Sequence, residues 1–99
     1  MKIKVLDTAK ADIKAIRETL IPYGIVPANK FRYTYRNFLN CVSKMPEMFP
    51  VCKLNPNFRS AVLVYDYIAF YKTDENLNTV IIHRILHGKR NITAIIKDT

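Results

Sequence analysis

Two histidines, a glycine and three cations crowd into one stretch of this 99-residue chain, Thr79-Val-Ile-Ile-His-Arg-Ile-Leu-His-Gly-Lys-Arg-Asn-Ile92. An imidazole titrates near 6.5, so His87 can take or give a proton at neutral pH, while Arg84, Lys89 and Arg90 can hold negative charge. Arg59 is a further cation of suitable chemistry. Such a set serves either acid–base work on an anionic substrate or docking to an anionic surface. Each residue also has a plainer role. His83 lies inside the apolar run, where a packed, hydrogen-bonded histidine is expected. Gly88 either permits the turn that ends the strand or lets a target approach the backbone. Arg59 has Asp66 and Glu75 as possible ion-pair partners. Lys89 and Arg90, directly after a buried strand in a chain of formal charge +8, point to an anionic contact.

The cysteines add no chemistry to this set. Cys41 and Cys52 are eleven positions apart with no CxxC and no His/Cys cluster, which argues against a zinc site and a disulfide framework. They read as small apolar packing residues in a reducing compartment. No metal or cofactor is expected.

Hydrophobic residues make up 49% of the chain and only two residues are glycine, the composition of a folded globule and not of a linker. At this length one core without disulfides is feasible, so residues 1–99 are read as a single domain. Sixteen Lys and Arg against eight Asp and Glu favour acidic partners, for which nucleic acid and an acidic protein segment both qualify. No apolar run approaches the roughly 18 residues of a membrane span, so no membrane partner is expected. The start, Met1-Lys-Ile-Lys-Val, is too short and charged for a signal peptide, which leaves the cytoplasm as the expected location.

The elements that must position the cations follow from periodicity. Residues 2–6 alternate polar and apolar, a short strand with Ile3 and Val5 facing one way. From Thr8, a plausible N-cap, Ala9, Ile13, Ile16, Leu20 and Tyr23 recur at helical spacing, with Pro22 and Gly24 as the stop. Beyond Pro27, the set Phe31, Tyr35, Phe38, Leu39, Val42 and Met45 marks a second amphipathic helix whose aromatic stripe is core. Three prolines in 46–56 impose an irregular loop. Residues 58–64, 67–72 and 79–87 are rich in β-branched and aromatic types and form an antiparallel meander with turns at 64–66 and 73–78. The order is β-α-α-β-β-β, an α+β two-layer sandwich with a helical hairpin on a mainly antiparallel sheet. Strict alternation puts His83 and His87 on one face and Arg84 on the other, and makes the last strand central. The three isoleucines of 91–97 require cover, so the tail is expected to fold back as a short helix or turn, or to be held by a partner.

This order, together with Lys44-Met-Pro-Glu-Met-Phe-Pro50, Tyr67-Ile-Ala-Phe-Tyr71 and above all Arg84-Ile-Leu-His-Gly-Lys-Arg-Asn-Ile92, resembles the RelE/ParE superfamily of type II toxin–antitoxin toxins. The closing segment is more similar to the ParE-like, plasmid-stabilisation branch. The resemblance implies a small basic toxin neutralised by an acidic antitoxin. Its target is DNA gyrase in ParE-type members and messenger RNA on the ribosome in RelE-type ones. A ribonuclease would draw on His87, Arg59, Arg84 and Arg90 for proton transfer and phosphorane stabilisation. Gyrase docking would draw on Arg84, His87, Lys89 and Arg90. Against the nuclease, Ile68 stands where RelE-type strands usually place an arginine, and no aromatic follows Tyr71. The gyrase reading is therefore preferred, with ribosome-dependent cleavage as its alternative.

Overall fold

Period-two sequence at the start and helical spacing after it fold as their patterns require. The computed structural model describes residues 1–97. In order they form β1 (Lys2–Val5), α1 (Asp7–Leu20), a 3-10 turn (Ile21–Tyr23), α2 (Ile25–Lys44), β2 (Arg59–Val62), β3 (Tyr67–Asp74), β4 (Thr79–His87) and α3 (Ile92–Lys97). One sheet runs β1-β4-β3-β2, with β1 parallel to β4 and the other pairs antiparallel. This is the α+β sandwich the sequence predicts, and β4 lies inside the sheet as expected.

The helical hairpin covers one face. Ala9, Ile16 and Leu20 of α1 and Phe31, Phe38 and Val42 of α2 pack on Tyr67, Ala69, Tyr71, Val80, Ile82 and Ile85. Phe31 meets Tyr67 edge-on at 5.6 Å between ring centres, and Phe38 meets Tyr71 at 5.7 Å, a geometry the ring quadrupoles favour. The aromatic stripe of α2 is core. Tyr71 also donates its phenol proton to the Pro46 carbonyl at 2.7 Å, tying down the proline-rich segment.

Three end positions depart from the pattern. Thr8 is not the N-cap: α1 starts at Asp7, and the Thr8 hydroxyl donates to the His83 carbonyl at 2.9 Å. Tyr23 is 78% exposed because α-helical phase ends at Leu20 and the Pro22 turn rotates it outward. Met45 lies one residue past α2, in a non-helical conformation, and is exposed. Gly24, at φ +105°, supplies the left-handed step that joins the hairpin.

The opposite face of the sheet carries a smaller cluster. Cys52, Phe58, Phe70 and Leu86 are covered by Ile92 and Ile96 of α3, which answers the need of the tail isoleucines. Helices therefore lie on both faces, the hairpin on one and this short helix on the other. Buried Asn55 fixes the arrangement, its Nδ2 donating to the Ile96 carbonyl at 2.9 Å and its Oδ1 accepting the Asn57 N–H. Both thiols are free, Cys52 inside this cluster and Cys41 half-buried on α2.

One irregularity interrupts β4. Tyr71 pairs with Ile82 and Phe70 with Arg84, so His83 is an extra, unpaired residue. The alternation slips there, and Ile82 and Ile85 both enter the hairpin-side core. His83 instead meets Phe58 edge-on at 5.0 Å, whereas His87 lies across from Tyr67. The two histidines thus occupy opposite faces, not the same one, because the bulge adds a residue that a strict period of two cannot anticipate.

Burial pushes the His83 pKa below its ordinary 6.5, and the charge of Lys72 adds to the effect. A depressed folded-state value means that the unfolded chain binds the proton more readily, so stability is retained above about 6.5 and lost as pH falls below it. Urea unfolding of wild type and His83→Gln between neutral and mildly acidic pH checks this. The wild type is expected to lose stability more steeply; parallel curves would contradict the assignment.

Candidate functional site

The tip of β4 is built on a backbone problem. Partnering with β1 ends at Ile82, leaving the rest of that edge with polar groups to satisfy. The chain turns back as α1 and supplies them. Leu6 N–H donates to the Ile82 carbonyl at 3.0 Å, Thr8 caps the His83 carbonyl, and an Asp12 oxygen accepts the Ile85 N–H at 3.0 Å. Asp12 also grips Arg84 in a two-pronged pair, Nε to Oδ2 at 2.8 Å and Nη2 to Oδ1 at 3.0 Å.

That pair decides what Arg84 can do. The Arg84 and Asp12 side chains are 22% and 10% exposed, and the Asp12 hydrogen bonds hold the guanidinium pKa above its already high ordinary value. The cation is permanent and its fork is filled by a carboxylate. To hold a phosphate or a target carboxylate, Arg84 would first have to abandon Asp12.

Beyond Ile85 the strand end is more open. His87 packs edge-on to Tyr67 at 5.1 Å between ring centres, and its Nδ1 accepts the Lys89 N–H at 3.2 Å. That bond requires a bare Nδ1, so in the neutral ring Nε2 carries the proton. Gly88 donates to the Asp66 carbonyl at 2.7 Å, and a Cβ there would stand only 3.3 Å from that oxygen. A side chain there would press on the 65–66 turn, where Tyr65 and Asp66 both adopt positive φ, and the glycine leaves that close approach unhindered.

Lys89 and Arg90 are exposed. Among the described residues neither side chain meets a carboxylate. They project to different sides. Arg90 lines a shallow depression of about 180 Å³ with His87, Tyr67 and Asp12, against α1. Lys89 borders another with Val62 and Ile68.

Arg59 is not part of this tip. Its Nη1 donates to the Phe49 carbonyl at 2.8 Å, and neither Asp66 nor Glu75 is its partner. Arg59 pairs with Tyr71 of β3, while His87 pairs with Tyr67, four residues or ~13 Å along the strand and two strands across. Of the candidate ribonuclease groups, His87 and Arg90 share a depression, Arg84 lies engaged beside it, and Arg59 belongs to another part of the surface. The depression itself offers one imidazole, His87, and one cation without a carboxylate partner among the described residues, Arg90.

Asp12 is the site residue that sequence reasoning missed. Its signal was available: Thr8 and Asp12, four apart, share a flank of α1 beside the buried Ala9–Ile16 stripe. A polar pair there marks a face in contact with something polar.

The family model for the ParE toxin of the type II toxin–antitoxin system, parDE, matches residues 3–92. The chain belongs to the ParE toxin family. A solved structure of the chromosomal ParDE toxin–antitoxin system from P. aeruginosa superposes with a TM-score of 0.73 at 19% identity, over 88% of this chain and 95% of that one. At that identity the likeness is one of fold. No curated protein sequence matches the chain. Membership in the ParE family makes this chain the toxin of a two-protein module, with an antitoxin as its partner.

The Asp12 clamp is directly testable. Asp12→Ala leaves the half-buried guanidinium and the Ile85 N–H without a partner, and should lower unfolding free energy by about 2–3 kcal/mol. Adding Arg84→Met should recover a large part of that loss. A single-variant cost under ~0.5 kcal/mol, the range of an ordinary surface substitution, would contradict the clamp.

Proposed function

We propose that this ParE-family toxin acts by docking to DNA gyrase, with the 87–90 tip of β4 as the contact and no catalytic group of its own. The observation that supports this most is the division of the cations. Arg84 is occupied by Asp12 and Arg59 by the Phe49 carbonyl, whereas Lys89 and Arg90 project from the tip. Ribosome-dependent cleavage would ask Arg59, Arg84, His87 and Arg90 to converge on one phosphate. Their separation counts against it.

The net charge of +8 suits an acidic antitoxin segment, which would associate quickly and with strong salt dependence. Gyrase works on chromosomal and plasmid DNA, so the place of action in this reading is the cytoplasm. No helix among the described residues is long and apolar enough to cross a membrane.

Supercoiling by purified gyrase, titrated with the antitoxin-free protein, checks the reading. Inhibition is expected, and Lys89→Ala/Arg90→Ala should raise the half-inhibitory concentration about tenfold, the equivalent of ~1.4 kcal/mol of docking energy. Unimpaired supercoiling at every molar ratio, with codon-linked cuts in translated messages, would overturn it in favour of the ribonuclease.

A further inference from the structure

The outer face of α2 has a composition that neither the core nor the tip of β4 explains. Between Glu18 and Glu47 the chain contains no acidic residue, yet it carries Lys30, Arg32, Arg36 and Lys44. Exposed helices ordinarily intersperse both signs, because opposite charges four apart support the helix. Here the field is of one sign along the whole helix.

The uncharged residues of that face are equally unusual. Asn29, Tyr33, Asn37 and Asn40 follow helical spacing along the side directly away from Phe31, Phe38 and Val42, and all four are exposed. Asparagine is a poor interior helix former because its amide competes for backbone hydrogen bonds. Among the described residues, the amides of Asn29, Asn37 and Asn40 make no hydrogen bond to the protein, so no local interaction repays their presence. Tyr33 is 73% exposed, and with Asn29, Arg32 and Arg36 it borders a shallow, mainly polar depression. Residues that break a local preference without a structural return mark function.

We propose that this outer face of α2 binds duplex DNA, with Arg32 and Arg36 on phosphates and Asn29, Tyr33, Asn37 and Asn40 turned to the base edges of the major groove. The dimensions fit. A 20-residue helix is ~30 Å long, and the major groove, ~12 Å wide, admits one. Arginine is the standard partner of phosphate, and the paired donor and acceptor of an asparagine amide match base edges and not carboxylates. An acidic protein segment fits less well, because it would need apolar anchors along the helix. The exposed Ile21, Ile25 and Val26 gather at the hairpin end, Ile21 and Ile25 in a groove with Asn29 and Arg32, and beyond Tyr33 this face presents only polar residues, Arg36, Asn37, Asn40 and Lys44. Single-stranded nucleic acid would need a row of stacking platforms, and the face offers Tyr33 alone. The inference does not rest on gyrase as the target, and its assay contains no gyrase.

Fluorescence anisotropy of a labelled duplex tests it, with the full chain free of antitoxin across a salt series. Arg32→Gln/Arg36→Gln should weaken binding at least ~10-fold near physiological salt and reduce the salt slope by about 1.8, since each phosphate left without its cation removes roughly 0.9. Lys2→Gln/Lys4→Gln removes the same charge from exposed positions of β1 and should change affinity less than ~3-fold, since it takes away only general attraction. Asn37→Ala/Asn40→Ala, which favours the helix, should weaken binding with the slope unchanged. Equal weakening in the two charge variants, unaltered affinity in the asparagine variant, or preferential displacement by single-stranded RNA or polyglutamate would each overturn the assignment.

Discussion

The structure depends on how the open edge of β4 is closed. A parallel β1 of four residues covers only the first part of a nine-residue strand. An inner strand with unpaired N–H and carbonyl groups beside a packed helix is costly, since each buried group without a partner forfeits about 1–3 kcal/mol. The chain solves this with Thr8 and Asp12, one helical turn apart on α1. The same carboxylate then neutralises Arg84, so one side chain satisfies the backbone, pairs a half-buried cation and locks α1 to the sheet. Because these interactions converge on the bulge at His83, they also set the faces on which His83 and His87 emerge.

This closure sorts a uniform-looking run of cations into two kinds. Arg84, the first of the run, belongs to the architecture; its charge is satisfied within the protein. Lys89 and Arg90 come after the strand has ended, past the point where Gly88 abuts the Asp66 carbonyl, and their charge is available to a partner. The depression beside His87 holds a single free guanidinium. Charge left available at the strand end is what the docking proposed above would use.

Much of this is legible in the sequence. The two amphipathic helices, the meander, the inner position of β4 and the covered tail isoleucines all follow from periodicity and from the need to bury apolar area. Tyr23 and Met45 escape the pattern because helical phase persists on paper after Pro22 and Lys44 have ended it in space. The faces of His83 and His87 differ from strict alternation because a bulge leaves no local mark: its cause is the long-range fit of β3 against β4 and of α1 against both. Asp12 is hidden for the same reason. A carboxylate on an exposed-looking helix flank acquires meaning only when the strand it serves, more than seventy residues later, is laid beside it.

The central claim is that the toxin works by occupancy and not by turnover. Its most direct test is the titration endpoint of gyrase inhibition at a gyrase concentration well above the dissociation constant. Occupancy predicts a linear loss of activity that ends at a fixed molar ratio of toxin to gyrase and does not move with longer incubation. Loss of activity far below stoichiometry, or an endpoint that falls steadily with time, would contradict the account.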